Sequence, residues 1–166
     1  MFVLGIDPGV SRCGYGCVAG APGAGLRAQA VGVITTSKDD PLPERLALLQ
    51  HELQALIEEL RPEVVVVERV FFQTNVKTAM SVGQASGLAL AAASAAGCTV
   101  AQYTANEVKQ AVAGYGGADK GQVQRMVQRL LGLAEIPKPP DAADALALAL
   151  CHLARAPRLA RVEAAQ

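Results

Sequence analysis

The sequence predicts an α/β domain: a five-stranded mixed sheet, three antiparallel N-terminal strands followed by two parallel ones, flanked by helices. Three observations carry this. The first 35 residues hold three apolar runs separated by Gly/Pro turn signals, which reads as an antiparallel meander. Two later apolar runs, at residues 64–67 and 98–103, each follow a segment of helical character. The first of these is an unbroken valine run, the kind found in a strand covered on both faces.

In chain order, Phe2 to Asp7 is a short buried strand closed by Pro8-Gly9, so Asp7 stands at a strand's C-terminal end. Runs from Cys13 to Val18 and from Val31 to Thr35 lie either side of the Gly/Pro-rich segment Gly20 to Gly25. From Pro43 to Leu60, leucines at 46, 49, 53, 56 and 60 alternate spacings of three and four, one stripe of an amphipathic helix ended by Pro62. The strand Val64-Val65-Val66-Val67 then runs into Glu68, repeating the placement of Asp7.

Residues 75–96 read as a helix rich in Ala, Ser and Gly. Its Gly83-x-x-x-Gly87 asks for a packing reason, because glycine costs roughly 1 kcal/mol in a helix interior; a dimer interface is one candidate. A fifth strand spans Cys98 to Tyr103, and Thr104-x-x-Glu107 makes a capping box that starts a short helix. That helix stops near Gly114-Tyr115-Gly116-Gly117. Another begins around Asp119 and carries Arg125 and Arg129, and Pro137 to Pro140 breaks the chain again. The last helix runs from about Asp141 to Ala156 with an inner face of Ala and Leu. One domain is expected over residues 1–157, with residues 158–166 a tail that frays.

Half the residues are apolar and 18% charged, a globular composition, and the formal net charge is zero. A polyanionic partner therefore needs local patches. Residues 1–103 hold seven Lys/Arg against nine Asp/Glu, and residues 104–166 eight against six, two of those six being Asp141 and Asp144. Without that pair the C-terminal third is basic. The four cysteines show no zinc-ligand spacing and sit among apolar neighbours, so buried free thiols are expected. No stretch approaches the roughly 20 apolar residues of a membrane span, and cytoplasmic residence is the default.

Asp7 and Glu68 end strands, while Asp141 and Asp144 lie at i and i+3 on one helix face, so all four converge if that helix crosses the sheet near those strand ends. Clustered carboxylates repel and would protonate unless divalent metals compensate, and hard oxygen ligands suit Mg²⁺, with Mn²⁺ as a substitute. Two such ions support phosphodiester hydrolysis by activating a water and stabilising the leaving oxygen. Each acid also has a plainer reading. Asp7-Pro8-Gly9 serves as a turn, Asp141 as a helix N-cap, and Asp144 as a favourable charge on the helix dipole. Glu68 resists most, since an acid continuing a buried valine strand needs a buried partner such as arginine.

These residues resemble the RuvC Holliday-junction resolvases of the RNase H-like superfamily over almost the whole chain. The matching pieces are Leu4-Gly5-Ile6-Asp7-Pro8-Gly9 with Gly14-Tyr15-Gly16, Glu68-Arg69-Val70-Phe71, Val82 to Gly87, Glu107-Val108-Lys109-Gln110, Lys120 with Gln122-Val123-Gln124, and Asp141 to Leu146. The resemblance implies an RNase H-like fold. It makes Asp7, Glu68, Asp141 and Asp144 the metal-binding catalytic acids of a homodimer that nicks two opposed strands of a four-way DNA junction in recombination and repair. Lys109 and Lys120 fall where the family contacts the DNA backbone and supports catalysis, as cations near a scissile phosphate should. Phe71 falls where the family stacks a side chain on junction bases. Phe72 reads equally as its neighbour in binding or as core. Asn75 and Lys77, with Arg69, are candidates for phosphate contact, although Arg69 occupies a position where the family varies. The junction-migrating helicase complex RuvA-RuvB is implied as a partner by the resemblance alone.

Gly5 to Gly9 also resembles the phosphate loop of actin-like sugar kinases and heat-shock ATPases, but those proteins need two such domains. With no second Asp-Gly phosphate loop in 166 residues, no nucleotide cofactor is expected. Two further alternatives are a catalytically idle junction-binding module, against which the four carboxylates argue, and an RNase H-like nuclease acting on another nucleic acid.

Overall fold

The computed structural model describes residues 1–21, 24–69 and 76–163, with the backbone alone for 21, 24, 76–78 and 157–163. Within them the chain runs β1 (Phe2–Asp7), β2 (Arg12–Ala21), β3 (Ala24–Thr35), α1 (Leu42–Leu60), β4 (Val64–Glu68), α2 (Val76–Ala95), β5 (Thr99–Tyr103), α3 (Ala105–Ala113), α4 (Lys120–Leu131) and α5 (Pro140–Glu163). The strands line up β3-β2-β1-β4-β5. β1, β2 and β3 pair antiparallel, and β1, β4 and β5 parallel, as the sequence predicts.

Several boundaries differ from expectation. β2 and β3 reach into the Gly/Pro-rich segment, pairing Ala19 with Arg27 and Ala21 with Ala24 across register shifts, because cross-strand hydrogen bonding outweighs the weak strand propensity of those residues. α5 starts at Pro140, which has no N–H to lose at a first helical position. It also runs past Ala156 to Glu163, since an internal proline removes one helical hydrogen bond without itself excluding helical dihedrals. α1 stops where Pro62 bars the preceding residue from the helical region: Arg61 turns left-handed (φ 49°) and donates its N–H to the Ile57 carbonyl.

The strand period of two sorts the sheet's faces. Leu4, Ile6, Val65 and Val67 point to α1 and α2 and pack on Leu49, Leu53, Ile57, Ala85 and Ala89. Val3, Val64 and Val66 point the other way, into a core with α3, α4 and α5. Both faces are covered, so β1 and β4 are apolar throughout until their last residues, Asp7 and Glu68, which the same alternation aims at the α5 side. The last paired positions of these strands are Ile6 and Val67, so the two acids leave neighbouring strands at the same level.

α5 lies against the sheet backbone to backbone. A Cβ on Gly5 would stand 2.0 Å from the Ala145 carbonyl oxygen, and one on Gly14 would stand 2.1 Å from that of Asp141. Only glycine permits this approach. Because Gly14 is the register partner of Asp7, seating the first turn of α5 on Gly14 brings Asp141 beside Asp7. Cys13, Cys17 and Cys151 are buried thiols as expected, whereas Cys98 is partly exposed and donates to the Pro62 carbonyl. Among the described residues no helix is long and apolar enough to cross a membrane.

Candidate active site

Asp7, Glu68 and Asp144 line one cavity of about 290 Å³ at the C-terminal end of β1 and β4, together with Lys109 and Lys120. Ala105, Val108, Val123, Ala147 and Leu148, from α3, α4 and α5, form its apolar walls. Asp141 is one helical turn before Asp144, outside the cavity lining but close enough that its charge acts on Asp7.

The electrostatics show how tightly the acids are gathered. Burial, and then the charges of Asp144, Glu68 and Asp141, push the Asp7 carboxyl up to about 7. Glu68 is raised above the usual carboxylate range, first by burial and then by Asp144. The cation that lowers it again is Lys120, not the arginine partner that a purely structural glutamate would need. The Lys120 ammonium lies 2.5 Å from Asp144 Oδ2. Burial works to lower the lysine, and the hydrogen bond and charge of Asp144, helped by Asp7 and Asp141, override it and leave it above its ordinary value.

The plainer readings fare differently residue by residue. No backbone N–H donates to the carboxylates of Asp7 or Asp141 among the described residues, so neither makes the turn or cap bond considered for it. Asp141 lies inside the first turn of α5, where Arg12 Nε and Nη2 donate to its Oδ2 at 2.9 and 2.8 Å. Arg12 was not singled out from the sequence. The one available signal was its place two residues before Gly14, on the strand face that meets α5.

The lysines are held by well-capped helices. Thr104 and Glu107 form the expected capping box at α3, and Glu107 also pairs with Arg155 of α5 at 3.1 Å, which fixes the turn carrying Lys109. Asp119 and Gln122 form a second box at α4, of which Lys120 is the first residue. Phe71, Phe72 and Asn75 lie outside the described residues. Lys77 falls on the first turn of α2 with its side chain outside them, so the structure brings together Asp7, Glu68, Asp141, Asp144, Lys109 and Lys120 from the expected set. The Arg69 N–H donates to the Tyr103 carbonyl, extending the β4–β5 pairing, and its charge acts on Glu107.

Among the described residues no three acids already stand at the spacing of a metal cage; Asp144 and Asp141 each hold a protein cation instead. The donor set still fits a hard divalent ion. It offers carboxylate oxygens only, and Asp7 and Glu68 are buried acids whose raised pKa values a bound cation would relieve.

Comparison with known proteins follows the same line. The family model described as crossover junction endodeoxyribonuclease RuvC matches residues 3–152. A RuvC of that description from Salinispora arenicola is 54% identical over 165 residues, covering 99% of this chain and 94% of the relative. The solved structure titled T. thermophilus RuvC in complex with Holliday junction substrate superposes with a TM-score of 0.89 at 42% identity, covering 94% of each chain. The yeast mitochondrial Holliday junction resolvase Ydc2 shares the fold, with a TM-score of 0.69 at 17% identity over 96% of this chain and 82% of that one.

Proposed function

The chain belongs to the crossover junction endodeoxyribonuclease RuvC family, and from that premise we propose that it resolves four-way DNA junctions by paired, symmetric, metal-dependent nicks in strands of like polarity. The observation that carries this is a single cavity holding Asp7, Glu68 and Asp144 against Lys109 and Lys120, with Asp141 alongside.

In this reading Asp7, Glu68, Asp141 and Asp144 hold Mg²⁺, or Mn²⁺ in its place, as a pair of ions. When bound, such ions lower the pKa of a water and offset charge on the departing oxygen in phosphodiester hydrolysis. The chain's own contribution is orientation and electrostatics. Lys120 and Lys109, which line the cavity, present cations to the phosphate backbone and offset the charge that develops on the phosphoryl oxygens. Val108, Val123 and Leu148 form an apolar wall that suits a sugar face. Phe71 stacks on unpaired junction bases, a role that rests on the family match; Phe72 joins it there or packs in the core, and Asn75 and Lys77, close to it in sequence, are the candidates for phosphate contact.

A homodimer supplies the second site for the second nick. It is supported by the outer face of α2, where Met80, Gly83 and Gly87 are exposed in the single chain and a Cβ on either glycine meets nothing. Association with the RuvA-RuvB helicase complex, and residence in the cytoplasm with the chromosome, follow from the family.

The test is a synthetic four-way junction incubated with the pure protein and Mg²⁺ or Mn²⁺, with EDTA as control, and the cuts mapped on all four strands. Symmetric nicks in two opposed strands that vanish with EDTA are expected. Junction binding without metal-dependent nicking would mark an idle module instead, and faster cutting of linear or hybrid substrates a nuclease of different specificity.

A further inference from the structure

Arg12 is the first residue of β2, paired with Thr35 of β3, so its backbone belongs to the sheet rather than to a loop. It shares a strand face with Gly14 and Gly16, and that face carries α5: a Cβ on Gly14 would meet the Asp141 carbonyl oxygen at 2.1 Å and the Asp141 Cβ at 3.1 Å. The strand therefore grips Asp141 twice, at its backbone through Gly14 and at its carboxylate through Arg12. Both guanidinium donors, Nε and Nη2, converge on the single oxygen Oδ2 at 2.9 and 2.8 Å. The other carboxylate oxygen, Oδ1, has no donor among the described residues.

The pair is too exposed to matter much for stability. Its side chains are 49% and 28% accessible, and ion pairs in that range contribute little to folding. Holding a carboxylate in one orientation is a different service. A short acid in the first turn of a helix has several side-chain conformers, and two donors on one oxygen select one of them.

We propose that Arg12 is a positioning residue for the metal site: it fixes the Asp141 carboxylate by Oδ2 and leaves Oδ1 free to serve as a ligand. This rests on the metal-binding reading given above. The orienting role and the charge of Arg12 act in opposite directions. A second cation beside the acids repels a divalent ion, so a bystander arginine weakens metal binding and its removal tightens it, whereas removal of an orienting arginine loosens it.

The test is Mn²⁺ titration by calorimetry of the unsubstituted protein, Arg12→Ala and Arg12→Lys, with thermal melts of each in EDTA. Partners that orient metal ligands typically govern affinity by 10- to 100-fold, and for this half-exposed pair a loss of about tenfold is expected in Arg12→Ala. Arg12→Lys, which keeps the charge but not the two-donor geometry, should fall between, and the melting temperatures in EDTA should coincide. Arg12→Ala binding Mn²⁺ as tightly as the parent, or more tightly, would overturn the proposal while leaving the metal site intact. So would a loss of affinity matched by a fall in the EDTA melting temperature, which would make Arg12 structural. No Mn²⁺ binding by the unsubstituted protein would overturn the metal reading, and the role of Arg12 with it.

Discussion

The Lys120 ammonium sits 2.5 Å from Asp144 Oδ2, although Lys120 opens α4, the end of a helix at which the backbone dipole disfavours a cation. The lysine is thus held against its own helix by the acids of another. In the metal-binding reading proposed above, Lys120 and a bound ion would compete for the Asp144 carboxylate.

Exchange between the two cations follows. Lys120→Met should bind Mn²⁺ several-fold more tightly, because a competing charge is gone, yet cut a junction about a hundredfold more slowly, the usual loss when one preorganised donor to developing charge is removed. Calorimetry and single-turnover cleavage on the same preparation check both halves. Weaker Mn²⁺ binding would show that Lys120 supports the metal site rather than competing with it.

The elevated carboxyl of Asp7 makes metal-free stability depend on pH. Asp7 titrates near 7 in the fold against an ordinary value of 3.8, so between those values the folded state binds a proton that the unfolded chain has released. Its contribution is fully present below pH 3.8 and is lost as pH rises through 7. In EDTA the melting temperature of Asp7→Asn, measured relative to the parent, should therefore rise between about pH 5 and about pH 8. With Mg²⁺ added, the parent's metal-induced stabilisation should be larger at the higher pH. A pH-independent difference between the two proteins would mean that Asp7 titrates normally.

Asp144→Asn keeps the shape of the cavity wall and removes a charge. Junction binding, measured by gel shift in EDTA, should change little, while cutting in Mg²⁺ should disappear. Surviving cleavage would remove Asp144 from the catalytic set and with it the four-acid site.

Gly14 tests the seating of α5. Alanine there would drive a methyl into the Asp141 backbone, so α5 must shift, at a cost of about 1–3 kcal/mol typical of overpacking. Urea denaturation of Gly14→Ala should show that loss together with weakened Mn²⁺ binding. Wild-type stability would mean that the helix rides higher on the sheet.

Gly87 tests the dimer. It is exposed on α2 with open space around it, so Gly87→Leu should leave the protomer's fold unharmed, or improve it by up to about 1 kcal/mol through helix propensity. If the α2 face joins two copies, the added side chain should convert a dimer to a monomer in light scattering at micromolar concentration. A parent that is already monomeric, or a variant that remains dimeric, would put the interface elsewhere or nowhere.

Much of this protein is legible in the residue order because its determinants are local. The valine run of β4 declares a strand buried on both faces, the leucine spacing of α1 declares a one-sided helix, and Thr104 with Glu107 writes a cap within four residues. Asp7 and Glu68 could be placed at strand ends for the same reason. Even the family was readable, since its motifs are short and in order. Tertiary structure decided what those acids touch. Arg12 and Asp141 are 129 positions apart, and no pattern within β2 or α5 says that they meet. They do so because Gly5 and Gly14 lack side chains, letting α5 settle on the sheet backbone with its first turn over the end of β1. The assignment of Lys120 to Asp144, and the partition of four acids between the cavity and its edge, follow from that one docking.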